Sequence, residues 1–345
     1  MICGHGGNIY RNKNVIDFSA NINPLGMPES IKKAVIGSAD MWERYPDPEC
    51  TELIGGISRY EKTAADKTVC GNGAADIIYR IFRAFSPRSA VLYAPCFSEY
   101  EKAAGEIGCN VFRYCLKDEN DFFPDDGIVS LISEDTDIVF ICSPNNPTGK
   151  LIPPDILKKI SDRCAVCNTL LVCDECFLGF CMNGEKFSLR SFMTENTVIL
   201  KAFTKLYAIP GLRLGYALFG SAENAEKVRC CGQCWGVSVP AQAAGIAALS
   251  EKTEKDFISK TREYISAERK YLIDILSECG IKCFSSDANY ILIKAFAGLD
   301  DLLLKKNILI RNCGDFHGLS EEYYRIAVRR HDENIILADA LREIL

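Results

Sequence analysis

Three short segments of this 345-residue sequence carry side chains able to do chemistry together. Ser143-Pro144-Asn145-Asn146-Pro147-Thr148-Gly149 offers an amide and Asp174-Glu175 a carboxylate. Lys201-Ala202-Phe203-Thr204-Lys205 offers an amine, followed eight residues later by the guanidinium of Arg213. Taken one at a time they are a proline-rich turn, a helix-capping Asp and a surface Lys. Each, however, follows an apolar run that reads as a β-strand, and open α/β sheets place ligands at the carboxyl ends of their strands. An amide, a carboxylate, an amine and a guanidinium around one sheet edge are hard to explain as packing. A fourth segment, Gly71-Asn72-Gly73-Ala74-Ala75-Asp76, opens a helical stretch with a glycine turn, and the unpaired N–H groups of such a start form a cradle for phosphate. It lacks the third glycine of a dinucleotide fingerprint, and the next strand ends Tyr93-Ala94-Pro95 rather than in an acidic residue. Neither a Walker A sequence nor a G-x-S-x-G elbow occurs.

The elements that must position these groups alternate. Strands are expected over residues 90–93, 109–114, 137–142, 169–173, 197–201 and 214–219, and helices over 74–85, 98–107, 155–167 and 222–231. That alternation describes an α/β fold with a mostly parallel central sheet covered on both faces. Helical periodicity returns over 240–250 and 255–279. After Gly280 short strands (281–284, 290–294, 308–310, 324–328) surround one helix, the pattern of a smaller α+β domain. A chain of this length exceeds one hydrophobic core. The expected division is a large domain over 36–255 and a small domain built from 1–35 and 256–345.

Composition narrows the function. Forty basic and 46 acidic residues leave a net charge of -6, without the Lys/Arg block that a nucleic-acid binder concentrates on one face. No apolar run approaches the ~20 residues of a membrane span. Gly4, His5, Gly6, Gly7 and Asn8 stand where a secretory signal needs an apolar core, so a cytoplasmic enzyme acting on small molecules is expected. The 18 cysteines then read as reduced thiols used as small core hydrophobes. Cys164/Cys167, Cys173/Cys176 and Cys231/Cys234 have the spacing of zinc or iron–sulfur ligands, but none encloses a glycine knuckle and the chain has only three histidines, so no metal is expected.

In order, spacing and strand context, Asn146-Pro147-Thr148-Gly149, Asp174-Glu175 and Thr204-Lys205 with Arg213 resemble the fold-type I pyridoxal-phosphate enzymes. The similarity falls in the branch holding histidinol-phosphate aminotransferases and threonine-phosphate decarboxylases, and runs over essentially the whole chain. It implies an aspartate aminotransferase-like large domain and pyridoxal 5′-phosphate as cofactor. It assigns Lys205 the Schiff base and later proton transfer. Asp174 would pair with the pyridine nitrogen, Asn146 would bond the ring oxygen O3′ and Phe97 would stack on the ring. Thr204, Arg213 and the N–H groups of Ala74 and Ala75 would hold the cofactor phosphate. Tyr45, in Arg44-Tyr45-Pro46, matches a tyrosine that reaches this phosphate from a neighbouring subunit, which implies a homodimer. Two positions depart from the aminotransferase pattern: Ala202 where relatives often carry a hydroxyl, and Phe177 where aminotransferases usually have Tyr.

The segments His5-Gly6-Gly7-Asn8 and Asp17-Phe18-Ser19-Ala20-Asn21-Ile22-Asn23-Pro24-Leu25-Gly26, the stretch 204–216 and Phe177 are similar to the threonine-phosphate decarboxylases of cobalamin biosynthesis. That likeness implies decarboxylation of L-threonine O-3-phosphate to (R)-1-amino-2-propanol O-2-phosphate. His5, Gly6, Asn21 and Arg311 would hold the substrate phosphate and Arg325 its carboxylate, with Asn146 also on the substrate side. Two arginines suit a substrate with two anionic ends, because guanidinium pairs bidentately with either. Arg329 competes with Arg325 by proximity in sequence, but Arg325 lies within a strand, where an unpaired charge would be costly. The alternative is a histidinol-phosphate-type aminotransferase using 2-oxoglutarate, since the same residues serve both reactions.

Overall fold

Ile138-Val139-Phe140-Ile141-Cys142 and Leu170-Leu171-Val172-Cys173 are apolar without alternation, as strands buried on both faces must be. In the computed structural model, which describes residues 5–345 (side chains excepted at 251–255), they lie at the centre of a seven-stranded sheet. Residues 1–4, part of the leader reading, lie outside the described residues. In chain order the strands are β1 (Ile16–Asp17), β2 (Thr68–Gly71), β3 (Ser89–Ala94), β4 (Asn110–Cys115), β5 (Ile138–Cys142), β6 (Leu170–Asp174), β7 (Thr197–Ala202), β8 (Gly215–Phe219), β9 (Lys282–Cys283), β10 (Tyr290–Lys294), β11 (Ile308–Leu309), β12 (Arg311–Asn312) and β13 (Tyr323–Ala327). The large sheet runs β2-β8-β7-β6-β5-β3-β4, parallel from β4 to β7, with β8 reversed against both β7 and β2. The fold is α/β with a mostly parallel central sheet, as expected.

The helices are α1 (Glu29–Gly37), α2 (Thr51–Glu61), α3 (Ala74–Phe85), α4 (Glu99–Glu106), α5 (Pro154–Val166), the single turn α6 (Phe203–Leu206), α7 (Ala222–Cys230), α8 (Val239–Ala248), α9 (Glu251–Glu278), α10 (Leu299–Lys305) and α11 (His331–Ile344). α3 shows why the sequence folds this way: Ile77, Ile78, Ile81 and Phe82 form an apolar stripe at helical spacing, and all are buried beneath the sheet's outer face. Among the described residues no helix is long and apolar enough to cross a membrane.

Two helices were not anticipated, and two expectations need correction. Helices α1 and α2 occupy stretches with no assignment from sequence. α1 buries only Ile31, and α2 carries Gly55-Gly56, a pair that weakens helical preference. A Cβ at Gly56 would come 3.3 Å from Leu249, so the glycine is there for close packing. Two helices, α10 and α11, follow Gly280 rather than one. The strand expected over 308–310 also divides: Ile308–Leu309 pairs in parallel with β1, outside the four-stranded antiparallel sheet β12-β13-β10-β9.

That last pairing matters for the site. It ties the N-terminal segment to the C-terminal part of the chain. Asn23 extends the tie by donating to Leu206 O at 2.7 Å and to Thr261 Oγ1 at 2.9 Å. Residues 16–23 therefore run past the carboxyl end of the large sheet.

Candidate active site

At the carboxyl ends of β5, β6 and β7 opens a cleft of about 200 Å³. Every residue given a cofactor or substrate role from the sequence lines it except Tyr45: His5, Gly6, Asn21, Ala74, Ala75, Phe97, Asn146, Asp174, Thr204, Lys205, Arg213, Arg311 and Arg325. Tyr45 stands outside its own chain's cleft, 77% exposed and stacked on Trp235 with ring centroids 4.4 Å apart.

Lys205 follows β7 on the one-turn helix α6, and among the described residues no hydrogen bond or ion pair engages its amine. Its pKa is lowered to about 8, first by burial and then by the charges of Arg325 and Arg213. An amine so placed is partly neutral near neutral pH and able to attack a carbonyl carbon. Asp174, the last residue of β6, is buried and accepts from Tyr100 Oη at 2.7 Å and from the Cys176 N–H at 2.9 Å. One carboxylate oxygen is thus held by a side chain and the other by the backbone.

Asn146 and Arg325 face each other across the cleft. Asn146 Oδ1 accepts from Arg325 Nη1, which turns the amide NH2 end away as a donor. Arg325 also donates from Nη2 to Ser19 O at 2.8 Å, while its Nε is buried with no partner. With 7% exposure and no carboxylate in contact, this guanidinium has its pKa lowered, chiefly by burial. Arg311 and Arg325 are opposite each other in the β12–β13 ladder, so both project from one face. Arg311 pairs with Asp315 at 2.7 Å and lies over Phe316. Arg329 pairs instead with Glu333 at 2.7 Å and is not part of the cleft, which separates it from Arg325. Asn21 adds a buried, unpartnered Oδ1.

A second anion-attracting corner lies at the start of α3. Gly73 takes φ 82° and caps the helix without a side-chain bond, leaving the first N–H groups of Ala74 and Ala75 to the cleft. A Cβ at Gly73 would lie 2.6 Å from Arg213 Nη2, and one at Gly215 would strike the Ala74 N–H. Glycine at both positions keeps this cradle open. Arg213 is itself in the left-handed region, φ 56°, and anchors Nη1 on Pro210 O at 3.0 Å.

Sequence reasoning missed Tyr100 and the N–H of Cys176. The signal for Tyr100 was present, since it lies one helical turn beyond Phe97 and the two rings meet edge-on at 5.6 Å. Phe177, where a hydroxyl was expected in aminotransferases, is buried edge-on against Tyr290 at 5.0 Å. Among the described residues no cluster of three or more His, Cys, Asp or Glu could hold a metal ion. Cys164, Cys167 and Cys173 pack in the apolar core.

A larger cavity of about 530 Å³ lies behind the cleft and shares Cys176 and Ala202 as a common wall. Its polar groups are mutually paired: Lys201 Nζ donates to Glu61 Oε1 at 2.8 Å, and Tyr216 also donates to Glu61. Glu175 accepts from Ser188 at 2.9 Å and from the Leu189 N–H at 2.8 Å. The exception is Arg190 Nη1, buried without a hydrogen bond 3.9 Å from Glu61.

Comparison with known proteins agrees with this geometry. The chain is 35% identical to a threonine-phosphate decarboxylase of Salmonella typhimurium, over 99% of this chain and 96% of that protein. It superposes on the crystal structure of a histidinol-phosphate aminotransferase from Clostridium acetobutylicum with a TM-score of 0.87 at 29% identity, covering 95% of this chain and 98% of the other. It shares the fold of Thermus thermophilus aspartate aminotransferase, with a TM-score of 0.87 at 21% identity over 97% and 93% of the two chains. The model of the aminotransferase class I and II family matches residues 13–341, and the chain belongs to that family.

Proposed function

We propose that this protein is a pyridoxal 5′-phosphate-dependent decarboxylase that converts L-threonine O-3-phosphate to (R)-1-amino-2-propanol O-2-phosphate, the step that supplies a side chain for cobalamin. The observation that carries the reading is the placing of two separate anion corners on either side of one unpaired lysine. One is at the N-terminus of α3, the other at Arg311 and Arg325. The decarboxylase relative at 35% identity supports the choice of substrate.

The residues fit the cofactor. The glycine cradle with Arg213 and Thr204 suits its phosphate, the unpaired amine of Lys205 its aldehyde, and the anchored carboxylate of Asp174 its pyridine nitrogen. The NH2 end of Asn146 would donate to the ring oxygen, and Phe97 would cover the ring. The chemistry pyridoxal phosphate supplies when bound is an electrophilic carbon and a ring that accepts the electron pair released at Cα.

This chain's part is orientation and proton handling. Arg325, with a free Nε and a cleft-facing guanidinium, would grip the substrate carboxylate and fix the orientation of the Cα–carboxyl bond that is to break, with CO2 as the leaving group. Lys205 would deliver a proton to Cα in its place. Arg311, His5, the backbone at Gly6 and Asn21 would hold the phosphate end. Phe177, buried against Tyr290, adds no hydroxyl on the ring-oxygen side, in keeping with the decarboxylase.

The same reading takes the chain as a homodimer in the cytoplasm. Tyr45, exposed and clear of its own cleft, would complete the partner's site. It also divides the chain into a cofactor-binding domain, 36–255, and a small domain from 1–35 and 256–345, which the separate four-stranded sheet supports. Incubating the holoprotein with phosphothreonine and measuring CO2 tests the proposal. Amino transfer to 2-oxoglutarate with no CO2 release would overturn it in favour of the aminotransferase.

A further inference from the structure

Glu99, in the first turn of α4, has no role in the reading above, yet its carboxylate collects three donors at the mouth of the cleft. His5 Nε2 lies 2.6 Å from Oε1, Lys102 Nζ donates to the same oxygen at 2.7 Å, and Tyr79 Oη donates to Oε2 at 2.8 Å. The donors come from three places: the N-terminal segment, α4 itself and α3. Glu99 is mostly buried, its side chain 14% exposed. Burial opposes its ionisation, but the bonds from Lys102, Tyr79 and His5 outweigh it and hold the carboxyl below its usual range.

His5 is the piece that needs holding. It lines the cleft and meets Phe97 with ring centroids 5.4 Å apart. The segment that bears it is closely seated behind: a Cβ at Gly6 would overlap the Ser19 carbonyl, and the Gly7 N–H donates to Ser19 Oγ at 2.7 Å. With Nε2 committed to Glu99, Nδ1 is the one polar atom of the ring left for a ligand. A ring carrying both protons has one N–H for each of two anions.

We infer that Glu99 is a positioning residue for the phosphate end of the substrate, holding the His5 ring by Nε2 so that Nδ1 is presented to a phosphorylated amino acid. Lys102, on the same carboxylate oxygen, offsets the negative charge that Glu99 would otherwise bring near a phosphate. The inference rests on the decarboxylase reading, and the two can fail separately.

The test is steady-state CO2 release from phosphothreonine by the holoenzyme. Glu99→Ala should raise KM about tenfold, the worth of one charge-assisted contact, with the loss falling on KM rather than kcat. Glu99→Gln keeps an acceptor for Nε2 without the charge and should restore most of the affinity. The double variant with His5→Ala should be no weaker than His5→Ala alone, because Glu99 acts through the ring. If Glu99→Ala does not fold, Glu99→Leu, which also removes the acceptor for Nε2 but fills more of the space, takes its place in the cycle. An unchanged KM, a loss confined to kcat, or additive penalties overturn the inference while leaving the decarboxylase reading standing. A wild-type enzyme that releases no CO2 from phosphothreonine takes down both.

Discussion

The ends of β6 and β7 carry a carboxylate and a lysine twice over, once on each side of a shared wall. In front are Asp174 and Lys205; behind are Glu175 and Lys201. The charge types are the same and the positions differ by one and four residues, yet the two pairs live differently. Behind, Lys201 is bound to Glu61 at 2.8 Å. Burial alone would lower its pKa, but the charges of Glu61 and Glu175 prevail and raise it. In front, Lys205 has no carboxylate to pair with and falls to about 8. A paired lysine is a strut. An unpaired one, beside two arginines, is a nucleophile held in readiness.

The largest test of that contrast is to remove each amine. Lys205→Ala should abolish turnover, a loss of about 10⁴-fold or more, and eliminate the visible absorption of the holoenzyme. Lys201→Met should leave the absorption band in place but take from buried Glu61 its closest cation, leaving Tyr216 and the more distant Arg190, and so cost about 3 kcal/mol of stability at most, read as a lower denaturation midpoint. If the two variants behaved alike, the pairing argument would fail.

The carboxylates give the next largest difference. Asp174→Asn should lower kcat about 10²- to 10³-fold, since a neutral amide does not keep the pyridine nitrogen charged. Glu175→Gln should spare turnover and change the pH dependence of stability. Burial pushes Glu175 up from 4.5 to about 7, so the folded protein favours its protonated form. Stability contributed this way is full below pH 4.5 and is lost as pH rises to about 7, a difference of about 3 kcal/mol. The Gln variant should lose that slope, as a melting series from pH 4 to 8 would report.

Smaller again is the effect of pH on cofactor uptake. A lysine lowered to about 8 is protonated below that pH and nucleophilic above it. The rate at which apoprotein combines with pyridoxal phosphate should therefore climb up to about tenfold per pH unit below 8 and level off above it. A climb continuing to pH 10 would mean that Arg325 and Arg213 do not act on the amine as their positions require.

The front half of this contrast was legible before the fold was known, because the candidate lysine and carboxylate sit in segments whose order and spacing resemble a known family. Helix α3 was read to the residue from its apolar stripe, and β10 from an unbroken run between polar flanks. What stayed hidden depended on contacts distant in sequence. The pairing of β1 with β11 joins residues some 290 positions apart (16 with 308), and two residues on each strand make no pattern. The glycine pair inside α2 conceals a helix whose Gly56 packs tightly against Leu249. Lys201 and Lys205 were adjacent in one motif, and only Glu61, folded back from α2, tells the strut from the nucleophile.

Tyr100 carries the same lesson at its finest scale. Its hydroxyl is buried and its own ionisation is strongly opposed, by burial first and by the Asp174 charge next, so it acts purely as a donor. Tyr100→Phe removes one of the two donors on Asp174 without changing the ring that fills the space. A hydrogen bond to a charged group is worth about 1.5–3 kcal/mol, but the Cys176 N–H still holds the other oxygen, so kcat/KM should fall only about tenfold. The matching change behind the wall, Ser188→Ala, takes a donor from Glu175 and should leave kcat/KM where it was, because that carboxylate faces no reacting atom. Equal effects from the two variants would show that the cavities are coupled through Cys176 and Ala202, and that the front carboxylate owes its role to the strand as a whole rather than to the two donors that grip it.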